Sequence, residues 1–279
     1  MPNALSTTKS GFIVGKAFMA AGRSLAQNVH DGDTVAISPN SYLSTRFLGV
    51  DTPEVSFTLL TDGGFPSIKS SAWDVFLNDP FRKGLPPFKP ALGSALKAHL
   101  KRVTGQGCAA NHAKHASAAT DALRDLIQAD IDAVAPAELG LFMAFGRDVL
   151  DRYGRFLCYL HRDDKASQPR AYNVMMIESG LATPYFIWPN IKPFLKDAVV
   201  PKPGKAITNA DLDTARAAVA EARTNRVGIF DTVDPLRLMP FELRFLARAT
   251  SGPIPTRPGP DRWVIDLSHK SKELLPPNR

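Results

Sequence analysis

The sequence predicts an all-β or α+β core, with strands first and helices packed on them afterwards. Three observations carry that expectation. Two pairs of β-rich runs are each joined by turn-forming residues. Apolar positions recur at three- and four-residue spacing in the segments between and after those pairs. The composition, 44% hydrophobic and 22% charged over 279 residues, is that of a globular chain with a sizeable core rather than a disordered one.

The elements follow in order. Gly11 to Gly22, GFIVGKAFMAAG, is interrupted by Lys16 and has no convincing cleavage site, so it reads as an N-terminal core strand rather than a secretory signal. Thr34–Ile37 and Thr45–Val50 are β-rich and joined by Ser38-Pro39-Asn40-Ser41, which predicts an antiparallel pair. Residues 55–110 hold Pro66, Pro80, Pro86, Pro87 and Pro90 with Gly63-Gly64, and read as an irregular insertion with one helix near Ala91–Val103. Ala116, Ala119, Leu123, Leu126, Ile127 and Ile131 then mark a helix with one apolar face. Leu141–Phe145 and Arg155–Leu160 read as a second hairpin, and Tyr172–Ser179 as a helix closed by Gly180. Asp211–Arg226 reads as a helix with Ala215, Ala218, Val219 and Ala222 on one face. The tail shows a short helix at Phe241–Ala249, a proline-rich loop and a strand at Arg262–Leu267, an appendage with modest structure of its own.

The charge is basic and localised. The 34 Lys and Arg against 27 Asp and Glu leave +7, which favours an anionic partner, nucleic acid or a membrane surface. Residues 1–54 and 111–231 are each balanced. Residues 55–110 carry seven basic against three acidic groups, and residues 232–279 carry eight against five. The surplus therefore lies in the insertion and the tail. No run of about eighteen apolar residues exists, so a membrane span is excluded. Cys108 and Cys158 imply no disulfide framework, and the cytoplasm is the expected compartment.

The chemistry-bearing signal is acidic. Asp31-Gly32-Asp33-Thr34 sets two carboxylates around a glycine just before a strand, and Asp51-Thr52-Pro53-Glu54 does the same at the end of the next. If those strands pair, up to four carboxylates converge and raise one another's pKa unless a cation neutralises them. Hard oxygens without His or Cys favour Ca²⁺ or Mg²⁺ over zinc, and turn carboxylates with a backbone carbonyl favour Ca²⁺. Each tetrapeptide alone is also ordinary turn chemistry. Arg46, five residues before Asp51, and Arg155, after Asp151-Arg152-Tyr153-Gly154, add guanidiniums suited to a phosphate and to the charge of its transition state.

The combination VHDGDTVAI, TRFLGVDTPE, DRYGRFLCYL, YNVMMIESGLATPY and ARAAVAEARTNRVGIFD resembles, in order and with matching spacing apart from one insertion, the staphylococcal nuclease (thermonuclease) family. The resemblance covers residues 25–54 and 111–231, within a domain spanning 1–231 that the insertion 55–110 interrupts and the extension 232–279 follows. It implies a five-stranded OB-type barrel with three helices, and a Ca²⁺-dependent nuclease acting on DNA or RNA that leaves 3′-phosphates. It implies Asp33, Asp51 and the Thr52 carbonyl as calcium ligands, with Asp31 nearby. Glu54 would orient or deprotonate water, and Arg46 and Arg155 would bind phosphate. Tyr153, Tyr185 and Arg152 would line the nucleotide pocket. Ile187 stands where the family has a second pocket tyrosine. The family also holds non-catalytic nucleic-acid-binding modules, but none of the five central positions is lost here. No obligate protein partner is evident.

Other signals point to structure. His99, Cys108, His112 and His115 match no standard zinc spacing, and the last two read as opening a helix with a solvated face. Cys158 reads as core, and Trp73 and Trp263 as local packing residues.

Overall fold

The computed structural model describes residues 11–15, 24–37, 43–59, 64–88, 91–134, 139–151, 153–162, 170–186, 190, 210–249, 264–265 and 274–275. Its strands are β1 (Gly11–Gly15), β2 (Val29–Asp31), β3 (Thr34–Ile37), β4 (Leu43–Phe47), β5 (Gly49–Asp51), β6 (Leu141–Leu150), β7 (Phe156–Arg162), β8 (Thr183–Tyr185), β9 (Val264–Ile265) and β10 (Leu274–Leu275). Its helices are α1 (Leu25–Asn28), α2 (Ser71–Asn78), α3 (Ser94–Val103), α4 (Cys108–Ala133), α5 (Tyr172–Glu178), α6 (Ala210–Asn225) and α7 (Pro240–Ala249). The fold is mixed α+β.

The main sheet runs β1-β6-β7-β4-β3-β2, with β4 and β7 parallel and the remaining neighbours antiparallel. Both predicted hairpins are present. β3 pairs with β4 from Thr34↔Arg46 to Ile37↔Leu43, and β6 pairs with β7 from Leu141↔Arg162 onward. Among the described residues this sheet has six strands rather than five, and no pairing joins its edges β1 and β2, so a closed barrel is not seen. The chain has seven helices there rather than three. α4, α5 and α6 correspond to the three of the resemblance, and α3 and α7 fall where the insertion and tail predict a helix.

One glycine divides the strand predicted as Thr45–Val50. Gly49 has φ +74°, and a Cβ there would stand 2.8 Å from the Phe186 ring and 3.0 Å from the Tyr159 hydroxyl. The backbone turns at this point because only glycine accepts both the dihedral and the contact. β4 thus stays in the main sheet while β5 leaves it to pair with β8, Asp51 opposite Thr183. The buried Asn173 of α5 fastens the same corner. Its amide donates to the Leu48 and Cys158 carbonyls at 2.8 and 3.1 Å, and its oxygen accepts the Leu160 N–H at 3.0 Å. Asn173 thereby satisfies two carbonyls and one N–H at a position closed to water.

Two apolar clusters form, and α4 belongs to both. Its C-terminal part places Ala119, Leu123, Ile127 and Ile131 against the sheet, as the apolar spacing predicts. Its N-terminal part places Cys108, Ala109 and Ala113 in a second cluster with Ile68, Trp73, Phe76 and Leu77 of the insertion, Leu100 of α3, and Leu238, Leu243, Leu246 and Ala247 of the tail. This corrects two expectations. The insertion holds a second helix, α2, and is not an irregular loop with one, and residues 238–247 of the tail are packed into a core rather than appended. Prolines broke the periodicity of the insertion into pieces, but each piece contributes apolar groups to a core completed only by residues about 150 positions downstream. Trp73 packs edge-on against Phe76 and donates its indole N–H to the Pro66 carbonyl at 3.2 Å. Cys158 is core, while Trp263 and Ile187 lie outside the described residues. No helix among the described residues is long and apolar enough to cross a membrane.

Candidate active site

The site forms where the β2–β3 turn, the end of β5 and the middle of β4 meet. Gly32 permits it: a Cβ there would sit 2.9 Å from the Ala119 Cβ and 3.0 Å from the Thr52 Cγ2, so the turn is pressed against α4 and against the Asp51-Thr52 segment. Asp33 and Asp51 are buried, and Thr52 beside them is too. Arg46 reaches both carboxylates, with Nη1 2.9 Å from Asp33 and Nη2 3.3 Å from Asp51 Oδ1. Asp31 lies at the edge, accepting the Asp33 N–H at 3.3 Å. Convergence of the two acidic turns, expected from strand pairing, is therefore what the fold produces.

The cation that meets these carboxylates is one the sequence reading missed. Arg244 of α7 places Nη1 and Nη2 each 2.7 Å from the two oxygens of Asp51, and Nη1 also lies 2.5 Å from Glu54 Oε1. It is 9% exposed, and its guanidinium stands 5.7 Å from the Tyr185 ring centroid. Burial alone would weaken its charge, but Asp51 and Glu54 more than offset this and hold it protonated. The available signal was a charged residue set between Leu243 and Leu246 on a short apolar helix, a position from which an arginine must find a buried partner.

His112 is the second missed residue. It is fully buried, correcting the solvated-face reading; His115 is buried too and bonds the Asp234 carbonyl at 2.9 Å. His112 Nε2 accepts the Glu54 N–H at 2.9 Å while Nδ1 donates to the Leu238 carbonyl at 3.1 Å, so one neutral tautomer ties the acidic loop to the tail. Burial pushes its pKa down to about 3, which fixes that neutral form. Extending the apolar period of α4 backwards from Ala116 passes through His112, and that was the signal for its burial.

Burial also raises two of the carboxylates, Asp33 and Glu54. Asp33 is pushed up to about 7 by burial, opposed by Arg46 and aided by Asp31 and Asp51. Glu54 is raised by burial and held back by Arg244 and Arg46. The self-repulsion expected of the cluster is thus present and partly answered by two guanidiniums.

The remaining predicted residues are less gathered. Arg155 is not brought into the cluster: its Nε lies 2.8 Å from Asp151 Oδ2, and its own N–H and that of Tyr153 both donate to Asp151 Oδ1. The DRYGR turn closes on itself in this way, and the Arg155 guanidinium lies 5.6 Å from the Tyr153 ring centroid. Arg46 pairs with Leu157 across β4 and β7, and Arg155 stands just before β7, two residues ahead of that partner. Tyr153 and Tyr185 are 58% and 38% exposed, each with an arginine near its ring, Arg155 and Arg244 respectively. Arg152 lies outside the described residues.

Asp33, Asp51 and the Thr52 carbonyl offer hard oxygens, the right chemistry for calcium. As arranged they do not fit it, because both oxygens of Asp51 are taken by Arg244. Among the described residues no three His, Cys, Asp or Glu side chains converge in a metal-holding group.

Fold and site together define an α+β protein whose buried carboxylates and arginines meet at the corner of a mixed sheet. No family model matches the chain. It is similar to Endonuclease YhcR of Bacillus subtilis (strain 168), 30% identical over 126 residues, which is 45% of this chain and 8% of that protein. The chain therefore spans less than a tenth of the length of the relative it matches.

Proposed function

We propose that this chain is a nuclease that hydrolyses phosphodiester bonds of DNA or RNA, in the manner of the thermonuclease family it resembles. The observation that carries the reading is the meeting of Asp33, Arg46, Asp51 and Glu54 at one corner of the sheet. Arg46 holds a phosphate oxygen and stabilises charge on it in the transition state. Arg155, just before β7, turns from Asp151 to the same phosphate. Glu54 orients water and takes its proton, water attacks phosphorus, and the P–O5′ bond breaks as the 5′-oxygen gains a proton, leaving a 3′-phosphate. Tyr153 and Tyr185 stack on flanking bases. Phosphate contacts carry no sequence information, so base preference is weak. The OB-type barrel belongs to the same proposal. It is supported by β1 and β2, which are consecutive in the chain yet border opposite edges of the sheet.

A second reading, a non-catalytic nucleic-acid-binding module, is favoured by one observation: Arg244 engages both Asp51 and Glu54. Incubating the protein with single-stranded DNA and RNA, in Ca²⁺ or in EGTA, and mapping product ends separates the two. Hydrolysis to 3′-phosphates supports the nuclease. Binding without hydrolysis in every condition supports the module.

A further inference from the structure

We infer that Arg244 is a resident competitor for divalent cations, so that cation loading at Asp51 and the Arg244–Asp51 pair exclude each other. The inference rests on the nuclease reading above and adds to it a residue supplied by the tail. A cation takes carboxylate oxygens at about 2.3–2.6 Å. The Arg244 nitrogens stand 2.7 Å from both oxygens of Asp51, in the same space, and Asp51 has no exposed surface for a second ligand.

The exchange is confined to a side chain. Leu243, Leu246 and Ala247 anchor α7 in the second core, so the helix stays in place while the long Arg244 side chain moves. When it gives up Asp51, Glu54 and the face of Tyr185 remain within its reach. Cation affinity is then reduced by the fraction of molecules in which Arg244 occupies Asp51.

The test is calcium titration of the full chain by calorimetry, with melting temperature in EGTA and in Ca²⁺, for wild type, Arg244→Met and Arg244→Lys. Arg244→Met is expected to bind Ca²⁺ at least about tenfold more tightly than wild type, because no competitor has to be displaced. It should melt lower in EGTA and recover in Ca²⁺. Arg244→Lys, which keeps the charge but loses the fork, should fall between the two and serves if Arg244→Met does not fold. Adding Asp51→Asn to Arg244→Met should remove the gain. Equal or weaker calcium binding in the Arg244 variants overturns the competition and leaves the nuclease reading standing. Absence of calcium binding in every protein overturns it as well, and hydrolysis in EGTA then decides whether the nuclease reading survives.

Discussion

Replacing His112 with Gln gives a pH signature whose size follows from the structure. The imidazole is neutral and buried, with both nitrogens bonded, and its pKa falls to about 3 from an ordinary 6.5. The folded pKa is the lower one, so the unfolded chain takes up the proton first, and the stability contributed by neutral His112 is present above 6.5. It is lost progressively as pH falls from 6.5 towards 3. Each pH unit in that window is worth about 1.4 kcal/mol, so wild type loses about 2 kcal/mol from this residue between pH 7 and pH 5. Gln cannot titrate and does not lose it. At pH 7 the variant should be less stable by about 1–3 kcal/mol, the cost of leaving the Glu54 N–H or the Leu238 carbonyl poorly paired in a buried place. Urea unfolding of both proteins at pH 7 and pH 5 measures the difference, in which titrations common to both cancel. The gap should narrow by about 2 kcal/mol at pH 5. A gap of the same size at both pH values would mean that His112 is not held neutral by burial.

The same geometry makes other outcomes measurable. Arg46→Ala should lower phosphodiester hydrolysis by about a hundredfold or more by removing a donor aimed at the phosphate, read as turnover at saturating substrate. Asp33 is raised to about 7 in the folded state against 3.8 unfolded, so its stabilising effect is complete below pH 3.8 and lost as pH rises through 7. Asp33→Asn should accordingly flatten the melting-temperature profile between those values. Leu246→Ala should destabilise the protein by about 2–5 kcal/mol in denaturant unfolding, since the side chain is wholly buried in the second core. Lys97 and Lys101 are exposed on α3, each 5.9 Å from the Phe81 ring. Replacing both with Ala should reduce the slope of log K against log salt for a long polyanion by about 1.4–1.8 if both contact phosphates, and an unchanged slope would show that they do not.

What was legible in the sequence is what local physics determines. β-rich runs with turn residues announce β3–β4 and β6–β7, apolar spacing announces α4 and α6, and Gly180 marks the end of α5. The acidic turns could be placed because each is fixed by neighbours in sequence. Other features required a partner far along the chain. The division of β4 from β5 depends on Phe186 and Tyr159 pressing on Gly49, and nothing near residue 49 announces them. The motif alone points Arg155 at phosphate, whereas the fold pairs it with Asp151, four residues earlier. Residues 55–88 bury themselves against α3, α4 and residues 238–247, partners that their own pattern does not announce.

The distribution of charge shows how a count can mislead about role. The surplus basic residues of the insertion and the tail read as solvated arms for a polyanion, and for part of α3 that remains a sound reading. The tail behaves differently. Arg244 is buried against Asp51 and Glu54, and Arg237 donates to the Gln106 and Thr104 carbonyls at 2.8 and 2.9 Å, closing the turn that leads into α4. These two guanidiniums serve internal contacts. Removing residues 232–279 would therefore do more than trim a basic surface. It would strip Leu238, Leu243, Leu246 and Ala247 from the second core and leave Asp51 and Glu54 facing Arg46 alone. The tail is better understood as the segment that joins the insertion to the acidic loop through His112 and Arg244, and through which a change in the second core reaches the carboxylates of the first.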